Sequence, residues 1–255
     1  MHSKLTGLVG KGKWGKIIQK KIRSVSKLHF TANSKSRYLN KLDKINWVFI
    51  ATPDKTHYNI VNKCIEKKVN IFCEKPLTKT YIQSLKLFQK AKKNKVLLYV
   101  DEIQSFLKKK IKIKKYNYIT RQKKGFGNPK DLLFRFAYHD FYYLYEKIKK
   151  DKISNIKIFN TKDCLEFKID FGRKTFHFYY SLNSKKRSHT FNSTNLLTKK
   201  DILSKMIKHV LNEKVDFDNN KNKSLFANKL IDKIIKKIWK FLYKNLLYIF
   251  LYSYL

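Results

Sequence analysis

Residues 5–15 read L-T-G-L-V-G-K-G-K-W-G, an apolar run that leads into glycines with the spacing G-x-G-x-x-G. The run predicts a strand over residues 4–9. Isoleucines at helical spacing predict a helix over residues 16–25, directly after the glycines. A strand, a glycine turn and a helix in this order are typical of the first unit of a dinucleotide-binding fold.

The glycines of this turn have different expected roles. Gly10 permits the tight bend, Gly12 lets a pyrophosphate approach the backbone, and Gly15 allows the helix to pack closely on the strand. Phosphates would then face free N–H groups and the positive end of the helix dipole. The residues predicted to bind the cofactor here are Gly10, Gly12, Lys13, Trp14 and Gly15. An ordinary glycine turn is the alternative.

Strands and helices alternate through the first part of the chain. Apolar runs predict further strands over residues 28–31, 47–51, 70–73 and 97–100. Helical patterns lie between them over residues 56–67 and 78–94. Because such alternation implies right-handed crossovers, we expect a doubly wound parallel sheet of Rossmann type over residues 1–103.

The pattern changes in the second part of the chain, where strand-like runs follow one another. They cover residues 111–120, 153–160, 164–171, 174–182 and 188–191. Helix candidates cover residues 132–150, 199–213 and 222–240. This order predicts an α+β domain with a mostly antiparallel open sheet over residues 104–235, and an α/β fold class for the whole chain.

The composition is that of a globular protein with an unusual charge. Hydrophobic residues make up 43% of the 255 residues, enough for packed cores. There are 59 Lys and Arg against 18 Asp and Glu, a formal net charge of +41 that would attract polyanions. The excess is spread along the whole chain, which favours compositional drift over a selected binding surface. Nucleic acid is therefore not the expected partner.

Cysteine usage and the two ends of the chain bear on location. Cys64, Cys73 and Cys164 are odd in number and widely spaced, so neither a disulfide framework nor a metal site is expected. No signal-peptide pattern precedes the first strand, and a cytoplasmic location is expected.

The apolar C-terminal tail, residues 236–255, is expected to be helical and to pack on the protein or on a second copy. Contact with a membrane surface is the alternative.

The segment after the second predicted strand bears on which cofactor is bound. An NAD-preferring site places an acidic residue here, where it holds the ribose 2′-hydroxyl. This chain has no acidic residue in the segment, and instead carries Asn33, Ser34, Lys35 and Arg37. These residues are predicted to contact the cofactor, and their charge favours the 2′-phosphate of NADP over NAD.

Two further motifs follow the third and fourth predicted strands. The first is Ala51-Thr52-Pro53 with a histidine at position 57, and the second is Glu74-Lys75-Pro76-Leu77. Together with the glycine fingerprint they resemble the family of glucose-fructose oxidoreductase, inositol dehydrogenase and MocA (Gfo/Idh/MocA). The resemblance is close over residues 4–105 and looser to about residue 235.

The resemblance implies roles for the residues of both motifs. Those expected to contact the cofactor are Ala51, Thr52, Pro53, His57, Glu74 and Pro76. Lys75 would be catalytic, since its ammonium could hydrogen-bond the substrate oxygen that gains or loses a proton. In the family this Lys-Pro peptide is commonly cis. The family's second domain often mediates oligomerisation, so a homo-oligomer is expected.

The second catalytic motif of the family resembles D-x-G-x-H-x-x-D, and the best local match is R-F-A-Y-H-D-F-Y at residues 135–142. His139 is the candidate acid or base. Arg135 and Tyr142 stand where the motif has acids, and Tyr138 stands near the usual small residue. A packed or substrate-contacting histidine is therefore the alternative.

These observations predict an NAD(P)-dependent oxidoreductase. It would transfer a hydride between nicotinamide and a hydroxyl or carbonyl carbon of a sugar, cyclitol or related small molecule. One alternative is a catalytically impaired dinucleotide-binding protein that works as a sensor or assembly partner, which the altered motif around His139 favours. A more remote alternative is a polyanion binder.

Overall fold

A computed structural model of the chain describes residues 4–107, 109–128 and 131–252, with side chains described as far as residue 243. The chain forms two compact units. One consists of Met1–Phe106 with Lys200–Asn228, and the other of Leu107–Lys199 with Lys229–Leu255. Each unit contains one sheet, the first parallel and the second mixed and mostly antiparallel. The predicted fold class is therefore confirmed.

The first unit is built around a five-stranded parallel sheet with the strand order β2-β1-β3-β4-β5. Its strands are β1 (Leu5–Val9), β2 (Lys27–Ala32), β3 (Trp47–Ile50), β4 (Asn70–Cys73) and β5 (Leu98–Val100). The helices between them are α1 (Lys13–Arg23), α2 (His57–Glu66) and α3 (Tyr81–Lys93). These elements overlap the predicted ones, because central parallel strands are buried on both faces and read as apolar runs.

A later segment of the chain, Lys200–Asn228, also belongs to the first unit, whereas the sequence assigned it to the second domain. It contains α5 (Ile202–Leu211) and the start of α6 (Phe217–Tyr252). The apolar face of α5 is buried in the same core as the sheet residues Leu8 and Trp47. Helical periodicity shows that a helix has an apolar face, but it does not show which sheet that face covers.

Two buried asparagines of α6 complete the polar contacts of the first unit. The side chain of Asn220 accepts from the N–H of Val100 at 2.9 Å and donates to its carbonyl at 2.8 Å. Asn228 donates to the carbonyl of Thr78 at 2.9 Å. Buried main-chain groups need such partners. Asn220 thus takes the place of a further strand beside β5, and Asn228 satisfies a carbonyl in the segment after β4.

The second unit contains a six-stranded sheet with the order β11-β10-β6-β9-β8-β7. The strands are β6 (Tyr116–Lys124), β7 (Ile153–Asn160), β8 (Leu165–Phe171), β9 (Lys174–Ser181), β10 (Asn183–Phe191) and β11 (Thr194–Asn195). Among the described residues, β6 and β9 form the one parallel pair of this sheet, and its other neighbouring strands are antiparallel. A π-helical turn (Leu133–Ala137) leads into α4 (Tyr138–Ile148). Phe141 of α4 packs edge-to-face on Phe178 of β9, 5.5 Å between ring centroids.

Several boundaries differ from the sequence prediction. The first strand of the second unit begins at Tyr116 rather than at residue 111, β10 begins at Asn183 rather than at residue 188, and α6 begins at Phe217 rather than at residue 222. The helix continues to Tyr252, so the predicted helical tail is present as far as the structure describes it, while residues 253–255 lie outside the described part. Among the described residues, no helix has the length and apolar character needed to cross a membrane.

Candidate cofactor and catalytic site

The glycine turn lies where the order of the parallel strands reverses, between β1 and β3. Open α/β sheets bind ligands at such a point, beyond the carboxyl ends of the strands. Gly10 follows β1, and its N–H donates to the carbonyl of Ala32 at 2.8 Å. Its φ is +134°, and a Cβ at this position would lie 2.3 Å from the carbonyl oxygen of Ala51. Only glycine fits both the backbone conformation and the space.

The other two glycines of the fingerprint differ in what surrounds them. A Cβ on Gly15 would lie 2.1 Å from the carbonyl oxygen of Gly10, so close packing of α1 on the turn requires glycine there. A Cβ on Gly12 would meet no heavy atom within 4 Å. Gly12 is the N-cap of α1, whose first turn carries no acidic residue. Open space at a positive helix terminus fits an anionic pyrophosphate.

The segment after β2 forms a compact turn through the side chain of Asn33. Its Oδ1 accepts from the N–H of Lys35 at 2.9 Å, and its own N–H donates to Oγ of Ser36 at 3.3 Å. The side chains of Ser34, Lys35 and Arg37 are exposed, as are Lys13 and Trp14 of the fingerprint. The turn therefore presents an amide and two cations to solvent where an NAD-preferring site has a carboxylate.

His57 is fully buried and connects the Ala51-Thr52-Pro53 loop to the loop that carries Lys75. Its Nε2 lies 2.9 Å from the carbonyl oxygen of Thr52, and its Nδ1 lies 2.8 Å from that of Pro76. Burial lowers the pKa of His57 in spite of these two carbonyls. A neutral imidazole has one N–H, so it donates to one of the two oxygens. The structure thus shows His57 holding two loops; a contact with the cofactor stays a prediction.

Lys75 follows β4 at the carboxyl edge of the parallel sheet and is half-buried. The peptide bond between Lys75 and Pro76 is cis. On the N-terminal side of Lys75, the carboxyl of Glu74 is only 7% exposed. The indole of Trp14, inside the fingerprint, donates to this carboxyl. Glu74 is thus a link between the two motifs that the sequence singled out.

Asp101 is a second buried carboxyl beside Glu74, and the two side chains share a hydrogen bond. Burial and the neighbouring charge of Asp101 raise the pKa of Glu74 well above its ordinary value. Burial also raises the pKa of Asp101, against the N–H of Ile103, which donates to Oδ1 at 2.8 Å. Glu74 is therefore the protonated partner that donates, and Asp101 the one that accepts.

His139 lies on α4 of the second unit and is 8% exposed. The adjacent Asp140 is the centre of a buried polar cluster. Its Oδ1 lies 2.8 Å from Nε2 of His189 and 3.9 Å from a guanidinium nitrogen of Arg121, and its Oδ2 accepts from the hydroxyl of Tyr180 at 2.9 Å. Burial opposes ionisation of Asp140, but these three partners hold its pKa below the ordinary value. Asp140 is an ionised, structural carboxylate.

Residues 7–102 match the sequence model of an oxidoreductase family with an NAD-binding Rossmann fold, Gfo/Idh/MocA. The matched residues all lie in the first unit. The geometry of its turn at Gly10 and Gly15 and the position of Lys75 after β4 agree with this assignment. The resemblance found in the sequence is thereby confirmed. No curated protein sequence matches the chain.

Solved structures are similar over nearly the whole chain. UDP-N-acetylglucosamine 3-dehydrogenase GnnA from Acidithiobacillus ferrooxidans has a TM-score of 0.79 and 13% identity, covering 93% of this chain and 98% of that one. The WlbA dehydrogenase from Thermus thermophilus, in complex with NAD and UDP-GlcNAcA, has a TM-score of 0.69 and 13% identity, covering 89% and 94%. The dehydrogenase MviM from Clostridium difficile has a TM-score of 0.72 and 15% identity, covering 91% and 99%. At these identities the similarity shows the fold.

Sequence reasoning missed several residues of these clusters. Asp101 of the first unit follows a buried parallel strand, as Glu74 does, and this shared position is a signal that could have singled it out. The partners of Asp140 come from β6, β9 and β10. No local pattern joins them to α4, because only the pairing of the strands brings them together.

Replacement of Asp140 by Asn tests the buried cluster of the second unit. Loss of the charge leaves Arg121 and His189 without their carboxylate, and we expect the free energy of unfolding at pH 7 to fall by about 3 kcal/mol or more. Because the pKa of Asp140 is lowered by folding, its contribution is present above the unfolded pKa of about 3.9 and is lost as the pH falls through the folded value. Asp140→Asn should therefore lose this acid-side dependence.

The measurement is urea unfolding of both proteins over a series of pH values. The exposed Asp163 provides the control, since Asp163→Asn should change the free energy of unfolding by less than about 0.5 kcal/mol. Equal stability of Asp140→Asn and the parent at pH 7 would contradict the assignment.

Proposed function

We propose that this chain is an NAD(P)-dependent oxidoreductase acting on a hydroxyl or carbonyl carbon of a sugar, cyclitol or related small molecule. One observation carries the proposal: Lys75 follows β4 at the same sheet edge as the glycine fingerprint that follows β1. Because all strands of this sheet are parallel, the cofactor turn and the lysine are on the ligand-binding side. A reacting group and a cofactor turn are thus held by one rigid scaffold.

Different residues of the chain would bind the cofactor and act on the substrate. The turn from Gly10 to Gly15 would hold the pyrophosphate, and the loop that begins at Ala51 would lie beside the dinucleotide. When bound, a nicotinamide dinucleotide supplies a ring carbon that takes or gives a hydride. Lys75 hydrogen-bonds the substrate oxygen and stabilises the charge that develops there as the C–H bond breaks or forms. His139 is retained as the candidate for a further acid or base.

The substrate class to test first is the nucleotide-linked N-acetylated sugars. The GnnA enzyme is a UDP-N-acetylglucosamine 3-dehydrogenase, and the WlbA structure contains UDP-GlcNAcA. Both proteins share the fold of both units of this chain. The identity of 13% with each supports a substrate class and not a single compound.

We infer a preference for NADP over NAD from the turn after β2. Lys35 and Arg37 are exposed cations, and Asn33 occupies the position where a carboxylate would repel a 2′-phosphate. The charge pattern therefore favours the phosphorylated ribose, although the family itself is described as NAD-binding.

We also propose that the protein is a homo-oligomer in the cytoplasm. Support for association comes from the exposed face of the second sheet, where Tyr116 and Tyr118 are 60% and 57% exposed. Tyr118 stacks on His177 with ring centroids 5.2 Å apart, so the patch is ordered. Exposed aromatic patches of this kind are typical of interfaces. The three free, buried thiols support a reducing compartment.

Replacement of Lys75 by Met tests the catalytic proposal. Met keeps the length of the side chain but removes the ammonium, so turnover of UDP-linked sugars with NAD or NADP should fall by roughly 10²–10⁴-fold. Binding of NADH or NADPH, measured by tryptophan quenching, should stay within about twofold. If the parent turns over none of a broad panel of sugars and cyclitols yet binds the dinucleotide, the sensor interpretation is favoured instead.

Replacement of Gly12 by Ala tests the pyrophosphate site without a substrate. The new Cβ meets no protein atom within 4 Å, so stability should fall only by the cost of alanine as an N-cap, about 0.5–1 kcal/mol, whereas the Cβ would intrude on a bound pyrophosphate. We expect dinucleotide binding to weaken by about tenfold or more, which corresponds to roughly 1.4 kcal/mol. Gly10→Ala is the contrasting variant, since its Cβ would lie 2.3 Å from the carbonyl oxygen of Ala51 and should destabilise the fold. Unaltered binding by Gly12→Ala would place the cofactor elsewhere.

Replacement of Asn33 by Asp tests the preference for NADP. The aspartate can still accept from the N–H of Lys35, so the turn should be kept while a negative charge is added. Binding of NADPH should weaken by about tenfold or more relative to NADH. Asn222→Asp, an equal charge change at an exposed position of α6, should leave the NADPH-to-NADH ratio unchanged. A ratio that moves equally in both variants would mean that only overall charge matters.

A further inference from the structure

We propose that Asp101 is a positioning residue for Lys75. Through its hydrogen bond with Glu74, it forms a carboxyl pair that shares one proton and carries one negative charge. That charge holds Lys75 as the ammonium required at the substrate oxygen. The role of Lys75 in turnover rests on the proposed function, whereas the effect of the pair on the charge of Lys75 does not.

The fold places the two carboxyls side by side. Cys73 of β4 pairs with Val100 of β5, so the next residues in each strand, Glu74 and Asp101, emerge together at the sheet edge. The N–H of Asp101 donates to the carbonyl of Cys73 at 2.9 Å, which extends the pairing by one residue. The N–H of Glu74 donates to the carbonyl of Ile50 at 2.9 Å. Both backbones are therefore fixed side by side at the sheet edge.

Both carboxyls are removed from water, with Asp101 1% and Glu74 7% exposed. Two adjacent buried carboxylates cannot both ionise, because the repulsion and the loss of hydration add together. A single shared proton removes the repulsion and leaves one negative charge on the pair. One oxygen of Glu74, Oε1, is buried and has no hydrogen-bond partner among the described residues. Among the described residues, one hydrogen-bond acceptor of the pair is therefore left without a donor.

Lys75 is the cation that interacts with both members of the pair. Its charge lowers the pKa of Glu74 and that of Asp101, so the attraction acts on each. By reciprocity, the pair favours the charged form of Lys75 by the same interaction. The half-buried Lys75 thus has a counter-charge on the residue before it in the chain and on Asp101.

The other ionisable groups around the pair are already balanced or neutral. Glu102 forms a buried ion pair with Lys223, 2.9 Å from Oε2 to Nζ, and accepts from the hydroxyl of Tyr99 at 2.8 Å. Burial raises the pKa of the Cys73 thiol well above its ordinary value, so the thiol stays protonated. Burial likewise raises the pKa of Tyr99. Of these described groups, the Glu74–Asp101 pair thus carries the one charge that Lys223 does not balance.

Composition supports a role beyond packing. The chain contains 18 acidic residues, and four of them are buried: Glu74, Asp101, Glu102 and Asp140. Glu102 lies 2.9 Å from Nζ of Lys223, and Asp140 lies 3.9 Å from the guanidinium of Arg121, so each has a cation beside it. A buried carboxyl pair costs stability, and neutral residues of the same shape are often as stable or more so. Its presence beside Lys75 therefore points to a use of its charge.

The test compares two variants that differ in one charge. In Glu74→Gln the amide replaces the shared proton and Asp101 keeps the negative charge. In Glu74→Gln with Asp101→Asn the shape is kept and the charge is removed. The direct readout needs no substrate: the protonation midpoint of Lys75 is obtained from its rate of acetylation by acetic anhydride over a range of pH, measured on its peptide by mass spectrometry.

We expect the double variant to lower the midpoint of Lys75 by about one pH unit relative to the parent, and Glu74→Gln alone to leave it unchanged. The alkaline limb of the kcat/KM profile should move by the same amount and in the same direction. In the parent itself, the midpoint of Lys75 should lie above that of the exposed Lys93 in the same sample, which tests the proposal even if a variant does not fold.

Equal midpoints for Lys75 in the double variant and the parent would overturn the proposal, as would a midpoint below that of Lys93 in the parent. A shifted midpoint without turnover in any of the proteins would instead refute the proposed function and leave the charge effect standing. Loss of activity in both variants with unchanged midpoints would assign the pair a structural role only.

Discussion

At the end of β1, the glycine turn, the loop at Ala51 and the start of α1 pack so closely that a Cβ at Gly10 or Gly15 would clash with the backbone. The turn at Gly10 lies against the carbonyl of Ala51, and α1 lies against the carbonyl of Gly10 through Gly15. The strand order reverses at this junction, so the position of α1 and the crevice beyond β1 and β3 both depend on it. The open space at Gly12 exists because the neighbouring glycines let the helix begin so close to the sheet. The proposed contacts with the cofactor therefore all depend on this junction.

Buried carboxyls behave in opposite ways in the two units, and the number of donors decides the direction. Asp140 receives a histidine, a tyrosine hydroxyl and a guanidinium, and its pKa is lowered although it is fully buried. Glu74 has a second carboxyl as its neighbour, and its pKa is raised. Burial alone would raise both. The first arrangement keeps a buried carboxyl ionised, and the second keeps a proton on a carboxyl next to Lys75.

Much of the first unit could be predicted from local sequence. Buried parallel strands are continuous apolar runs. The glycine spacing marks positions 10 and 15, where neighbouring backbone leaves no space for a side chain. The motifs around Ala51 and Lys75 could be found for the same reason, because each directly follows a strand. The burial of His57 between two carbonyls could not be predicted, since the sequence does not show that Pro76 lies against it. Nor could the partners of Asp140, which come from strands far apart in the chain and depend on the pairing order of the second sheet.

The return of the chain to the first unit has a consequence for how the protein is made. The apolar face of α5 covers Leu8 and Trp47, which belong to the earliest strands, and Asn220 closes the edge at Val100. During synthesis, the nucleotide-binding half therefore cannot complete its core when its own sheet has emerged from the ribosome. It must wait until the chain has been made as far as Asn228, by which time all strands of the second unit are also present. At roughly 5–20 residues per second, the first sheet stays partly uncovered for several seconds, an interval in which a chaperone would find apolar surface to bind.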